Sequence, residues 1–564
     1  MKRIIFPFLL LFLSNSFQLL AQNSTSPEIE ASIDRIFASY QDQAGCALGI
    51  YKEGKIFFQK GYGQANLEKK TPISSRTIFD IASVSKQFTA ACIFLLEAEG
   101  KLSLEDPIQK HLPQFPVYEG QDIKVKHLLY HSSGLRGYLR LLYAQGKSWD
   151  LPFNNEDGLE LMAKQRGLNF DPGDRFSYSN TAYMLLASIV EEASGSSFGQ
   201  FAKKRIFEPL GMHHTFFRED TALEISDQAL AYEWQNGAFE LEHYQKNTIV
   251  GDGGLHTNIE DFFKWSENFK HARLGGKSFI NSMLSLGSLN SGEKTNYAGG
   301  LFLGDYQNLP GLPTIGHDGS WAGFRSLFFK FPEQDIAFVI FSNNSHTDVW
   351  ALLNQLTSLF LAEEIAAARE KLNTEGNDQD EAHVLLNKKA KSNFPGSYFN
   401  PVEGYSRNIL LENDTLIYQR SNGITTKLIP LSENRFHLQG LSFVQLVFQS
   451  SATGIELKFQ VANDPPIYMH KYTPRSYQKQ ELKAFEGSYT SEELESSYII
   501  KAAESSLHIF IGSDLLVEVF PVMEDVFNDV HFGYLKFERS PEGQISSFTI
   551  NDELARDILF LRRS

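Results

Sequence analysis

The sequence predicts an α/β (α+β) domain, a five-stranded antiparallel sheet with a helical lobe inserted in it, followed by two small all-β repeats. Three observations carry this. Strand patterns recur at both ends of the first 369 residues, helical periodicity dominates between them, and a pair of similar β-rich segments follows a polar stretch.

The first strand pair is read from residues 46–63, where two apolar runs flank Glu53-Gly54 as in a hairpin. Residues 314–318, 324–331 and 336–341 supply three more strands joined by short turns, and an amphipathic helix follows from Asp348 to Arg369. Two strands from the start and three from the end make one sheet, so residues 100–310 become the insertion. That insertion is helical around Val125–Leu129 and Thr181–Glu192 and is broken by Pro172-Gly173 and by residues 251–254.

From residue 370 to 391 the chain is polar and charged, which reads as a linker. Beyond it Phe394-Pro395-Gly396-Ser397-Tyr398 returns as Phe485-Glu486-Gly487-Ser488-Tyr489, 91 residues on. Leu446, Phe448, Gly454 and Phe459 return as Leu535, Phe537, Gly543 and Phe548, each 89 residues on. Alternating apolar residues and turn pairs make each copy a small β-barrel or sandwich, over 392–475 and 482–564. The first domain is read over residues 23–369.

Composition narrows the function classes. Hydrophobic residues make up 42% of the 564, with 46 Phe, so core material is abundant. Residues 1–22 read as a secretory signal, with Lys2 and Arg3, an apolar run from Ile4 to Leu13, a polar break at Ser14-Asn15-Ser16 and a cut after Ala21. Asn15 interrupts the apolar run, so no stable membrane span is expected once the signal is cleaved, and the chain is expected in the periplasm or outside the cell. Loss of Lys2 and Arg3 takes the formal charge from −16 to −18, a balance that repels nucleic-acid phosphate. Cys46 and Cys92 are the only cysteines and are read as buried free thiols. His213 and His214 have no metal-ligand spacing with other side chains, and no cofactor is called for.

The chemistry is concentrated in three short motifs. Ser83-Val84-Ser85-Lys86 puts a hydroxyl and an amine one helical turn apart, and Phe88, Cys92, Leu95 and Leu96 continue as one apolar face. The same spacing occurs at Ser291/Lys294 and Ser476/Lys479, and Tyr398-Phe399-Asn400 repeats the spacing of Tyr178-Ser179-Asn180. What distinguishes Ser83 is order: Tyr178-Ser179-Asn180 and then His317-Asp318-Gly319-Ser320 follow it. A serine hydroxyl needs a base, which neutral Lys86 or ionised Tyr178 can supply. Asn180 can orient Lys86 and a substrate amide, His317 can donate to the same network, and the Ser83 and Ser320 N–H groups are candidates for an oxyanion hole that Gly319 leaves open. His131, in His131-Ser132-Ser133-Gly134-Leu135, reads as a turn or capping residue.

In this order the motifs resemble the serine β-lactamase and penicillin-binding protein superfamily, most of all the class C-like branch with D-alanyl-D-alanine carboxypeptidases, D-aminopeptidases and esterases. Residues 127–135, 251–265 and 316–326 are similar to that branch as well, and the resemblance spans residues 28–365. It implies Ser83 as the acylated nucleophile, Lys86 as its base partner, Tyr178 as proton shuttle, Asn180 as substrate-amide contact and His317 in the slot usually held by lysine. The tail resembles the lipocalin-like barrels appended to D-aminopeptidase-type members.

Two departures bear on the substrate. His317 in place of lysine removes a fixed positive charge at neutral pH, and Asp318, a candidate substrate contact, stands where a carboxylate-binding threonine is usual; it repels a substrate carboxylate if it faces the cleft, and strand alternation leaves both directions open. Both count against β-lactamase activity. The function implied is a secreted or periplasmic acyl-serine hydrolase of D-amino-acid peptides or amides acting on a small molecule or short, cell-wall-derived peptide. The alternatives are an esterase or β-lactamase using the same machinery, or a non-catalytic envelope-binding protein with barrels as recognition modules.

Overall fold

The computed structural model describes residues 26–563 apart from 149–150, 243–245, 376–385, 387–390, 402–403, 421–422, 452–453, 462–465 and 530–531. The expected signal segment and most of the expected linker lie outside the described residues.

Strands from both ends of the first domain form one antiparallel sheet in the order Phe302–Asp305, Pro313–Trp321, Phe324–Phe331, Ile336–Ser342, Cys46–Lys52, Lys55–Tyr62. The five expected strands are present, and a sixth, the short Phe302–Asp305, is added at the edge. It is too brief to show period-2 alternation, and pairing to residues 313–316 makes it a strand.

One sheet face packs on helices Pro27–Ile36 and Val349–Phe360, with Leu48, Ile50, Leu327, Phe338 and Ile340 in the shared core. The helix expected over 348–369 breaks at Leu361, which leaves helical geometry and is buried in that core. A second helix then runs Ala362–Glu375, so helical structure enters the segment read as linker.

The other face carries Phe328, Val339 and Phe341 and meets the helical lobe. At its centre runs the Lys86–Ala98 helix, buried from Lys86 to Leu96 on all sides rather than along one face. Phe88 packs on Trp265 with ring centroids 4.4 Å apart, and the Trp265 indole donates to Gln87 Oε1. Each such large side chain contributes about 1.5–3 kcal/mol by leaving water. The helix has no polar face because lobe and sheet enclose it.

The tail forms two closed eight-stranded antiparallel barrels, from Gly396–Asn400 to Ile467–Tyr472 and from Gly487–Ser491 to Ile558–Arg562. The sequence repeat has one structural meaning. Tyr398 donates to the Phe394 carbonyl at 2.7 Å, and Tyr489 donates to the Phe485 carbonyl at 2.9 Å, so each copy plugs its barrel with the same aromatic corner. Both cysteines are buried and free. Among the described residues no helix is long and apolar enough to cross a membrane.

Candidate active site

Ser83 lies in a short 3-10 turn, Ala82–Ser85, that leads into the Lys86–Ala98 helix, a tighter entry than a plain helix start. Ala82 just before it has φ 47°, a left-handed conformation that costs a non-glycine residue energy and presents Ser83 at a sharp bend. Asp80 stabilises the bend by accepting from Ala82 N at 2.8 Å.

Lys86 is fully buried. Its Nζ donates to Ser83 Oγ at 3.1 Å, to Asn180 Oδ1 at 2.8 Å and to the Asp252 carbonyl at 2.6 Å, and lies over the Tyr178 ring at 4.9 Å. Burial lowers its pKa to about 8 against the pull of the Asp252 and Asp318 carboxylates. A neutral amine has two N–H bonds. Asn180 Oδ1 and the Asp252 carbonyl oxygen, which can only accept, take those two, which leaves the nitrogen lone pair on the Ser83 side.

The Tyr178 hydroxyl is buried without a hydrogen-bond partner. Burial pushes its pKa well above the usual phenol value, against a smaller lowering by Ser83 beside it. It is a proton donor at neutral pH, so of the two candidate bases Lys86 is the one that can be neutral there. Asn180 opens the Asn180–Ser194 helix, capped by Ser179 Oγ, which accepts from Ala182 N at 3.2 Å.

His317 is buried beside this group, its ring 5.8 Å from that of Tyr178 and its Nε2 3.2 Å from Tyr297 Oη. Burial, then the Lys86 charge, lowers its pKa to about 3, so it is neutral in the site. Asp318, a candidate substrate contact by its place in the motif, takes the opposite direction to the cleft. It pairs with Leu327, whose side chain belongs to the core behind the sheet, and Trp350, on the helix packed there, is a side chain that lowers its pKa against burial. Alternation along the Pro313–Trp321 strand therefore turns Asp318 toward the helix-packed face, while His317, paired with Phe328, lies buried on the Tyr178 side. Gly319 is required by close approach: a Cβ there would sit 2.9 Å from Ser83 N and 2.7 Å from the Ile81 carbonyl. Ser320 is exposed and lines the cleft together with Ser83 and Asn180.

The other matches to these motifs lead nowhere. Lys294 bonds to Ser288 on the surface, Lys479 pairs with Glu504, and Tyr398 is the barrel corner described above.

Two cleft residues are not singled out by the sequence reading. Tyr138 donates to Asp252 Oδ2 at 2.8 Å, and both line the cleft with Asp80, Arg218 and His256. Asp252 sits between glycines, and that was the available signal. Gly251, at φ 104°, leaves no room for a side chain, since a Cβ would meet the Tyr183 carbonyl at 2.5 Å; this approach carries the Asp252 carbonyl to Lys86. His131, read as a turn residue, has φ 55° and accepts from Ser179 N through Nδ1 at 3.0 Å.

A penicillin-binding protein of Bacillus subtilis (strain 168) is 29% identical over 402 residues, which cover 69% of this chain and 86% of that protein. A D-aminopeptidase of Cereibacter sphaeroides is 27% identical over 317 residues, covering 56% of this chain and 60% of that protein. The octameric penicillin-binding protein homologue from Pyrococcus abyssi shares the fold, with a TM-score of 0.52 and 24% identity over 78% of this chain and 99% of its own. The profile of the family described as Beta-lactamase matches residues 33–361, more than half of the sequence, and the chain belongs to that family.

Proposed function

We propose that this protein is an acyl-serine hydrolase that cleaves amides or short peptides of D-amino acids bearing a free amino group. The observation that carries the reading is the Lys86 amine 3.1 Å from Ser83 Oγ, with its pKa brought near the working range. Neutral Lys86 takes the Ser83 proton as Oγ attacks the carbonyl carbon. The N–H groups of Ser83 and Ser320 hold the oxyanion. Tyr178 then passes a proton to the departing amine and is reprotonated through Lys86, which leaves an ester on Ser83. Water, deprotonated by the same pair, hydrolyses the ester and releases the acid.

Cleft electrostatics favour a substrate amine over a substrate carboxylate. His317 is neutral, so the positive charge that lysine would supply in its slot is missing. Asp252 and Asp80 line the cleft; burial raises the pKa of both carboxyls, against the Lys86 charge at Asp252 and His256 and Arg218 at Asp80. The likeness to a D-aminopeptidase agrees with this choice. The basic, apolar pattern of residues 1–22 supports action outside the cytoplasm.

A substrate panel tests the reading: D-alanine p-nitroanilide, its N-acetyl derivative, D-alanyl-D-alanine, a p-nitrophenyl ester and a chromogenic cephalosporin. Fastest turnover of the free-amine anilide, lost in Ser83→Ala, is expected. Preference for the ester or the cephalosporin overturns the substrate assignment, and no acyl-enzyme with any of them overturns the hydrolase.

A further inference from the structure

The helix Tyr138–Ala144 is short and wedged between the cleft and the second barrel. Its start is tied to the barrel where Gly137 N donates to the Leu554 carbonyl at 2.6 Å, and its end where Tyr498 Oη donates to the Ala144 carbonyl. Just before it, Arg136 is 3% exposed and its Nη1 reaches Glu493 Oε2 of the barrel at 2.5 Å; Glu493 is 6% exposed. The same carboxylate oxygen accepts from Arg166 N at 2.7 Å, and Arg136 Nη2 donates to the Asp557 carbonyl at 3.3 Å. A buried charge pair of this kind is weak evidence for stability but strongly constrains geometry.

What residues 136–138 do on their other side gives the contact its consequence. Thr181 Oγ1 donates to the Arg136 carbonyl at 2.8 Å and accepts from Tyr138 N at 2.9 Å, and Thr181 is the neighbour of Asn180. Tyr138 Oη holds the Asp252 carboxylate at 2.8 Å. Asn180 Oδ1 and the Asp252 carbonyl are the two acceptors that orient Lys86 toward Ser83. Both routes to the lysine thus begin in a three-residue segment gripped by the second barrel.

We infer that the second barrel completes the catalytic site from behind, with Glu493 and Arg136 as positioning residues that act through Tyr138 and Thr181 on the two acceptors of Lys86. The inference rests on Ser83 and Lys86 being the nucleophile and base. It gives the tail a task in catalysis without any tail residue touching substrate.

The test is the rate at which a fluorophosphonate labels Ser83 in the full-length protein, a readout that depends on serine activation and not on which amide is the natural substrate. Glu493→Ala is expected to slow labelling about tenfold or more, and the milder Glu493→Gln, which keeps an acceptor for Arg166 N, about threefold, with both proteins still melting in one transition. Glu495→Ala removes the exposed pair with Lys164 at the same interface and is expected to label at the wild-type rate. In a Tyr138→Phe background the Glu493→Ala effect should shrink, because part of its route is already cut. Wild-type labelling of a folded Glu493→Ala protein, or effects of Glu493→Ala and Tyr138→Phe that simply multiply, would overturn the inference. A wild-type protein that takes up no label at Ser83 would overturn the nucleophile reading beneath it.

Discussion

His131 Nδ1 accepts the backbone N–H of Ser179, the residue between Tyr178 and Asn180, at 3.0 Å, and its ring lies 4.3 Å from that of Tyr178. A buried, neutral imidazole thus fixes the loop that carries two of the site side chains. Its carbonyl accepts from Ser177 N at 2.8 Å, so the loop is held on both sides of Tyr178.

Replacing His131 by alanine should therefore damage both fold and chemistry. An unsatisfied Ser179 N–H costs about 1–3 kcal/mol, and alanine also suffers at φ 55°. His131→Asn, which tolerates that φ and keeps an acceptor, should recover part of the loss. Thermal melts and Ser83 labelling rates measured together check this; equal behaviour of the two variants would refute the hydrogen-bond account.

Ser83→Ala should abolish covalent labelling and leave the fold intact, since one oxygen is removed from a turn. Mass spectrometry after an acylating inhibitor should find the wild-type adduct on Ser83, and none on Ser291 or Ser476, whose lysines face solvent.

Acylation should rise with pH and level off, with a midpoint near 8. Lys86 is a protonated, inactive ammonium in acid and becomes the neutral base as pH climbs through its lowered pKa. Asp252→Asn removes a charge that favours the ammonium and should move the midpoint to lower pH. Lys86→Arg should be nearly dead, because guanidinium keeps its proton. A flat pH–rate profile between 6 and 9, roughly one unit or more either side of that midpoint, would assign the base elsewhere.

Gly319→Ala should slow acylation by about 100-fold or more, the scale of losing one oxyanion donor. Its methyl carbon would crowd Ser83 N at 2.9 Å, where the developing oxyanion must sit. Single-turnover kinetics are the check, and a near-normal rate would mean that the strand edge yields.

Substrate charge should follow Asp252 and not Asp318. Asp318→Thr should change the ratio of free-amine to carboxylate-ended substrates by less than about threefold, because the side chain lies behind the sheet at Trp350. Asp252→Asn should weaken the free-amine substrate relative to its N-acetyl form, read as a kcat/KM ratio. A large switch from Asp318→Thr would place that carboxylate in the cleft after all.

Much of this was legible along the chain. Ser83 and Lys86, three residues apart, meet because one helical turn brings them together, and the Phe324–Phe331 strand follows its own apolar run. The Phe394–Tyr398 and Phe485–Tyr489 corners are legible for the same reason: a tyrosine reaching the carbonyl four residues before it is a local event that repeats with the sequence. Period and turn chemistry act over a few residues, and they survive translation into a reading of the sequence alone.

Contacts between distant segments decided the rest. Which face of its strand Asp318 takes depends on pairing with Leu327 and on the helix that holds Trp350. Tyr138 meets Asp252 across 114 residues, and Arg136 meets Glu493 across 357. The lowered pKa of Lys86 and the neutrality of His317 come from burial, a property of everything packed around them. The sequence by itself determined which groups could do chemistry, because local spacing is written in it; the tertiary structure decided their charge, their direction and what holds them, because those are set by neighbours that only folding brings together.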